Sequence, residues 1–138
     1  MSKRRGFGVV VSLVMVAGGL TVAAVRGQAA AMGALDGKNF IGQVGKQGKA
    51  TGDKDEFRFQ AGTFRSTACD RYGFKEAAYT SAMQGDAVTF QAQAVSPTDG
   101  TMLWKGTARG EAIEGTTVWS KKAGSAPEAY WFKGTLKR

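Results

Sequence analysis

The stretch WKGTARGEAIEGTT, residues 104–117, places glycine before threonine at 106–107 and again at 115–116. Each pair lies in a segment where apolar and polar residues alternate, the period-two pattern of a half-buried strand. Glycine weakens a strand interior, because it contributes no side chain and loses more backbone freedom on ordering. Its repeated use therefore calls for a geometric reason. Met102, Trp104, Gly106 and Ala108 share one face of the first segment, and Ile113, Gly115, Thr117 and Trp119 share one face of the second. Gly42 and Gly134 take the same parity beside Phe40 and Val44, and beside Tyr130, Phe132 and Leu136. A glycine on the apolar face lets a strand coil sharply and leaves room for a neighbouring ring. A flat sheet has no use for that, whereas a small sheet curling onto itself does.

The same reading, extended along the chain, predicts eight strands, at about 38–44, 56–60, 63–67, 78–83, 86–94, 101–109, 112–120 and 128–136. No convincing helical stripe is present. Short links rich in turn formers, such as Ala61-Gly62, Gln84-Gly85 and Gly110-Glu111, favour antiparallel neighbours. The expected fold class is all-β: an eight-stranded antiparallel up-and-down meander closed into a small soluble barrel. Outward parities carry Arg58, Arg65, Lys105, Arg109, Glu114 and Lys133. Charge on a lipid face costs about 2–4 kcal/mol near the midplane, so these positions argue against an outer-membrane barrel.

Eight antiparallel strands with inward glycines resemble the calycin group, the lipocalin and avidin type of barrel. The likeness spans most of residues 38–136 and is architectural. The lipocalin G-x-W signature is absent, since Phe40 stands in the first strand and no tryptophan does. No binding residue is therefore carried over from that group. Residues 35–42, LDGKNFIG, also resemble the opening of small secreted bacterial proteins, a likeness that implies no activity.

The first residues read as an export address. Lys3, Arg4 and Arg5 precede an apolar run from Val9 to Val25, and Ala29-Ala30-Ala31 supplies small residues for cleavage near Ala31. The expected organisation is a signal peptide over 1–31 and one β-barrel domain over 32–138, with a periplasmic or secreted location. The run of about 17 residues is short for a membrane span, which needs about 20, so no span is expected in the mature form. An uncleaved anchor is the alternative. Arg4-Arg5-Gly6-Phe7 partly matches a twin-arginine motif, with an ordinary basic n-region as the simpler reading. Four of the 19 Lys and Arg lie in this segment and all 11 acids lie outside it, so its removal takes the net charge from +8 to +4. The remaining charge forms no dense stripe, and nucleic-acid binding is not expected.

The chain contains no histidine and one cysteine, Cys69. This removes the usual general base, the hydrolytic triads and most transition-metal sites, so neither an enzyme nor a metal or cofactor site is expected. A disulfide framework is ruled out as well. The carboxylates fall mainly in turns and on outward parities, without the facing pair that glycosidase chemistry needs. The stretch GKQGKATGDKD, residues 45–55, fails as a phosphate loop, because Gln43 and Ala50 stand where glycine and a hydroxyl residue belong.

Two site expectations follow. Phe90, Trp104, Trp119, Tyr130 and Phe132 would line a barrel mouth that holds a small apolar or aromatic molecule. An eight-stranded lumen is just wide enough to be filled by side chains or to keep one small ligand, and nine inward rings lean towards filling. The stretch STACDRYGFKEAAYT, residues 66–80, would form a lid or partner contact through Cys69, Tyr72, Phe74 and Tyr79, joined by outward-facing Trp131. The simpler reading of that loop is a plug for the barrel end. The rival function is an envelope protein-interaction module, inhibitor-like, acting through this loop. A third reading, an enzyme using Cys69, depends on a thiol that Arg71 would activate and Asp70 would oppose. A monomer is expected.

Overall fold

The computed structural model describes residues 29–30, 32–121 and 125–138. Nine strands follow in order: β1 (Ala29–Ala30), β2 (Asn39–Lys46), β3 (Asp53–Gln60), β4 (Thr63–Ser66), β5 (Ala77–Gln84), β6 (Ala87–Ser96), β7 (Gly100–Arg109), β8 (Ala112–Ser120) and β9 (Glu128–Leu136). A short 3-10 helix, η1 (Thr67–Tyr72), separates β4 from β5. Every consecutive pair from β2 to β9 is antiparallel, and β9 returns to pair with β2 from Phe40↔Leu136 to Lys46↔Tyr130. The eight strands β2–β9 thus close into an up-and-down barrel. Its thinnest seam is β4–β5, which registers only Thr63↔Ala78 and Phe64↔Ala77. The two-residue β1 adds to the free edge of β5 at Ala82 and Met83. The rest of the expected signal segment lies outside the described residues, and no described helix is long and apolar enough to cross a membrane.

The glycines stand where the parity argument requires. Gly42 pairs with Gly134, Gly106 with Gly115, and Gly106 and Gly115 also face Phe90 and Phe132 across the ladder. A Cβ built on Gly106 would come within 2.6 Å of Phe132 Cζ and 2.8 Å of Phe90 Cε1. A Cβ on Gly115 would fall 2.1 Å from the Lys105 carbonyl oxygen. Strands therefore approach closely at these points, and the vacated volume holds rings.

Phe40, Phe57, Phe59, Phe64, Trp104 and Phe132 are each no more than 1% exposed, and Phe90 is 4%. They meet mostly edge-on or tilted: Trp104 and Phe132 at 5.3 Å, Phe59 and Phe90 at 4.9 Å, Phe64 and Trp104 at 5.0 Å. Such geometry suits the ring quadrupoles. The waist of the barrel is filled. Outward Arg58, Lys105, Arg109, Glu114 and Lys133 are exposed, and Glu114 lies opposite Lys133 on the outer wall.

Three expectations are corrected. The second strand begins at Asp53 rather than 56, because the polar run Asp53–Glu56 keeps strand parity and pairs with β2 as far as Val44. That extension places Asp55 on the inner face with Phe57 and Phe59, so one carboxylate is neither in a turn nor outward. The connection between the third and fourth expected strands has the expected length, but Thr67–Tyr72 form a 3-10 helix where no helix was expected.

Candidate functional site

The antiparallel order gives the barrel two unlike ends. One is closed by residues 33–38. Leu35 is fully buried there, and Tyr79 Oη donates to Asp36 Oδ1 at 2.7 Å while accepting the Leu35 N–H at 3.1 Å. Asp36 also accepts the Gly62 N–H from the β3–β4 turn at 3.0 Å. Burial, then the bond to Asp36, pushes the Tyr79 hydroxyl up to about 12.

At the other end a cavity of about 340 Å³ opens between the C-terminal part of β2, the start of β3, η1, and the facing ends of β7, β8 and β9. Tyr72, Phe74, Trp119 and Tyr130 supply its rings, while Cys69 and Met102 supply two sulfur atoms. Tyr72 and Trp119 face one another with centroids 6.3 Å apart. Trp119 is fixed by its Nε1–H donating to the Asp99 carbonyl at 2.6 Å, and Tyr130 by its hydroxyl donating to Glu128 Oε2 at 2.7 Å. Met102 is 6% exposed and lies one inward step above Trp104. The cavity is therefore a cup resting on the ring-filled waist. A larger concavity, about 1100 Å³, runs along the outer wall over Gly106 and Gly115. It is an open trough whose side chains are mostly polar, Gln91, Lys105 and Thr116 among them. The cup offers the apolar walls with few polar groups that small-molecule sites favour.

The η1 turn over the cup is pinned on two sides. Asp55, 5% exposed, accepts the Ser66 hydroxyl, the Ala68 N–H at 3.0 Å and the Glu56 N–H at 2.7 Å. Burial nevertheless raises the Asp55 carboxyl above its ordinary value, because desolvation outweighs the hydrogen bonds. On the far side, buried Ser96 donates to the Tyr72 carbonyl at 2.7 Å and accepts the Asp99 N–H at 3.0 Å. Gly73 ends the turn at φ 83°, a left-handed value that suits glycine, and a Cβ there would press on Ser96 Oγ at 2.9 Å.

Burial also pushes the Cys69 thiol up to about 11, with the negative charges of Asp55 and Asp70 adding to it and Arg71 opposing. The thiol is thus protonated at neutral pH, and the nucleophilic thiolate is a minor species. Its sulfur lies 3.7 Å from Met102 Sδ, an ordinary contact between soft groups. Among the described residues, no group of three His, Cys, Asp or Glu could hold a metal ion.

The predicted residues divide by depth. Trp119 and Tyr130 line the cup, and Cys69, Tyr72 and Phe74 form its lid side. Phe90, Trp104 and Phe132 lie beneath it in the closed core. Tyr79 belongs to β5 and seals the opposite end. Trp131 lies on the outer wall, where its Nε1–H donates to the Lys49 carbonyl at 2.8 Å and Gly45 leaves room for its ring. Asp55, Ser96 and Met102 were not foreseen as site residues. Asp55 shares parity with Phe57 and Phe59, the one sequence signal that could have found it. The chain matches no protein-family model, no curated protein and no solved structure.

Proposed function

We propose that the protein is an exported binding module that takes a small apolar or aromatic molecule in the cup at the η1 end of the barrel. One observation carries this reading: the waist is filled by rings, yet about 340 Å³ remains open at one mouth between Tyr72, Trp119 and Tyr130. Filling the waist fixes the floor, and the two-sided pinning of η1 fixes the wall. A preformed site spends little free energy on ordering when a ligand arrives. The chemistry available is contact and stacking. The cup's thiol is protonated, and the Tyr130 hydroxyl is raised to about 12.

The test is a titration of N-phenylnaphthylamine, a neutral fluorescent ring compound, followed by dye enhancement and tryptophan quenching. Binding is expected, and Tyr72→Ser should weaken it about fivefold through the lost ring contact. No response from a broad panel of apolar dyes would overturn the reading.

A second reading draws on the filled waist together with Tyr72, which is 42% exposed at the top of η1. In it the same turn is a contact surface for an envelope protein, in the manner of an inhibitor. A partner whose capture is lost in Tyr72→Ser, with dye binding absent in the parent protein, would put this reading first.

A further inference from the structure

The charges around the cup are unevenly used. Asp70, beside Arg71 in the chain, is taken by Arg65, whose Nε donates to its carboxylate at 3.0 Å. Glu128 is taken by the Tyr130 hydroxyl at 2.7 Å and by Lys121 Nζ at 3.4 Å. Asp55 is enclosed by donors from Ser66, Ala68 and Glu56. The acids on that side are thus consumed internally. The cations at the opening are not. Lys46, Lys49 and Arg71 border the cup, and none of the three makes a salt bridge among the described residues; Lys46 acts on Glu128, which leaves Lys49 and Arg71 to face the opening.

Arg71 is positioned through its side chain and Lys49 through its backbone. The Arg71 guanidinium lies over the Tyr72 ring, 4.9 Å from its centroid, on a turn fixed by Asp55 and Ser96. Lys49 sits in the β2–β3 loop, whose backbone is tied down where the Lys49 carbonyl accepts the Trp131 Nε1–H at 2.8 Å. This gives Trp131, outside the cup, a definite task. The two cations stand on different walls, one on η1 and one on the loop, with the aromatic walls below. Asp53, exposed at the start of β3, is the carboxylate that opposes them.

We infer that the ligand of the cup is an amphiphile, an apolar or aromatic body bearing an anionic head, with the body among Tyr72, Trp119 and Tyr130 and the head between Lys49 and Arg71. This rests on the proposed binding function and narrows it to organic acids. Guanidinium and ammonium donors flanking an apolar cavity reward a carboxylate or sulfonate and reject a cation of the same shape.

The experiment compares two probes on the full chain: anilinonaphthalene sulfonate and N-phenylnaphthylamine, which shares its ring body without the sulfonate. The sulfonate should bind tighter, and added salt should erode that advantage because the heads are near solvent. Lys49→Gln and Arg71→Gln should each weaken the sulfonate about three- to fivefold more than they weaken the neutral dye, as for partly exposed ion pairs. Asp53→Asn should strengthen the sulfonate. If the neutral dye binds while the sulfonate gains nothing and ignores both substitutions, the acidic-head inference fails and the binding reading stands. If neither dye binds, both fail.

Discussion

The two ends of this barrel solve one problem in different ways. Each must cover the rim of a ring-packed waist, and each uses a carboxylate beside a hydroxyl to fasten the cover. At the closed end Asp36 holds Tyr79 and Gly62, and Leu35 descends from the same segment to fill the space below. At the mouth Asp55 holds Ser66 and Ala68, but no aliphatic residue of η1 descends. Phe74 is buried and Tyr72 turns outward, so the cover is fastened and the space beneath it is left open. The closed end has its inward apolar side chain within the fastened segment itself, whereas at the mouth Phe74 descends only after η1 has ended, and the space under η1 stays open.

The largest effect should come from the waist that both ends share. Phe57 is fully buried and touches Phe64, Trp104 and Phe132. Phe57→Ala should cost about 3–5 kcal/mol in a urea titration, the usual price of a large core cavity. A loss well under 2 kcal/mol would mean the waist is loosely packed, and the floor of the cup would then be ill-defined.

The fastenings come next, and they separate the ends. Asp55→Ala strips the acceptor from the Ser66 hydroxyl and the Ala68 N–H. A loss of about 2–4 kcal/mol is expected, together with loss of dye binding as η1 comes away. Tyr79→Phe should cost about 1–2 kcal/mol by orphaning the buried Leu35 N–H and removing one of the donors to Asp36. Dye affinity should not change. If Tyr79→Phe weakened the dye as much as Asp55→Ala, the two ends would be coupled and the comparison would collapse.

Acidity offers a milder probe of the mouth alone. The Asp55 carboxyl is raised above its ordinary 3.8, so the folded chain holds that proton more tightly than the unfolded chain does. The sign follows from linkage: stability is favoured below the unfolded value and declines as pH rises through the raised folded value. Asp55→Asn keeps an acceptor for the Ala68 N–H and cannot ionise. As pH rises from the ordinary value of 3.8 through the raised folded value, the parent protein should therefore lose stability relative to this variant. Glu56, whose carboxyl the Arg58 hydrogen bond lowers, titrates in both proteins and largely cancels from the difference. A flat difference across that range would place the Asp55 charge in solvent-like surroundings.

The barrel was readable from parity because a closed meander repeats one rule on every strand: Trp104, Gly106 and Ala108 face in while Lys105 and Thr107 face out. The glycine pairs were readable for the same reason, since a ring and an absent side chain at one parity imply each other. The cup was half-readable. Trp119 and Tyr130 sit at the strand ends where a mouth must be, whereas Phe90, Trp104 and Phe132 share their parity but lie one or more layers deeper. Alternation tells face and says nothing of depth. Tyr79 was drawn into the lid by its nearness in sequence to Phe74, yet β5 runs to the opposite end. Asp55 was hidden because a run of four polar residues reads as loop, and only its pairing with β2 shows that the strand continues.

The smallest expected effect lies between cup and waist. Thr117 sits on the inward face of β8, one step below Trp119 and opposite Trp104 and Tyr130, and it is fully buried. Among the described residues its hydroxyl is the buried side-chain group without a hydrogen-bond partner. Thr117→Val keeps the β-branched shape that the strand favours and replaces the hydroxyl by a methyl. With no partner left behind, the exchange should stabilise the protein by about 1 kcal/mol, read as a higher urea midpoint with an unchanged slope. The waist would then be apolar to its upper edge, and the dye should bind as before. If Thr117→Val instead destabilised the protein, the hydroxyl must be satisfied by a group entering from above. The cup would then reach one layer deeper than its rings suggest, and its polar floor would take part in choosing the ligand.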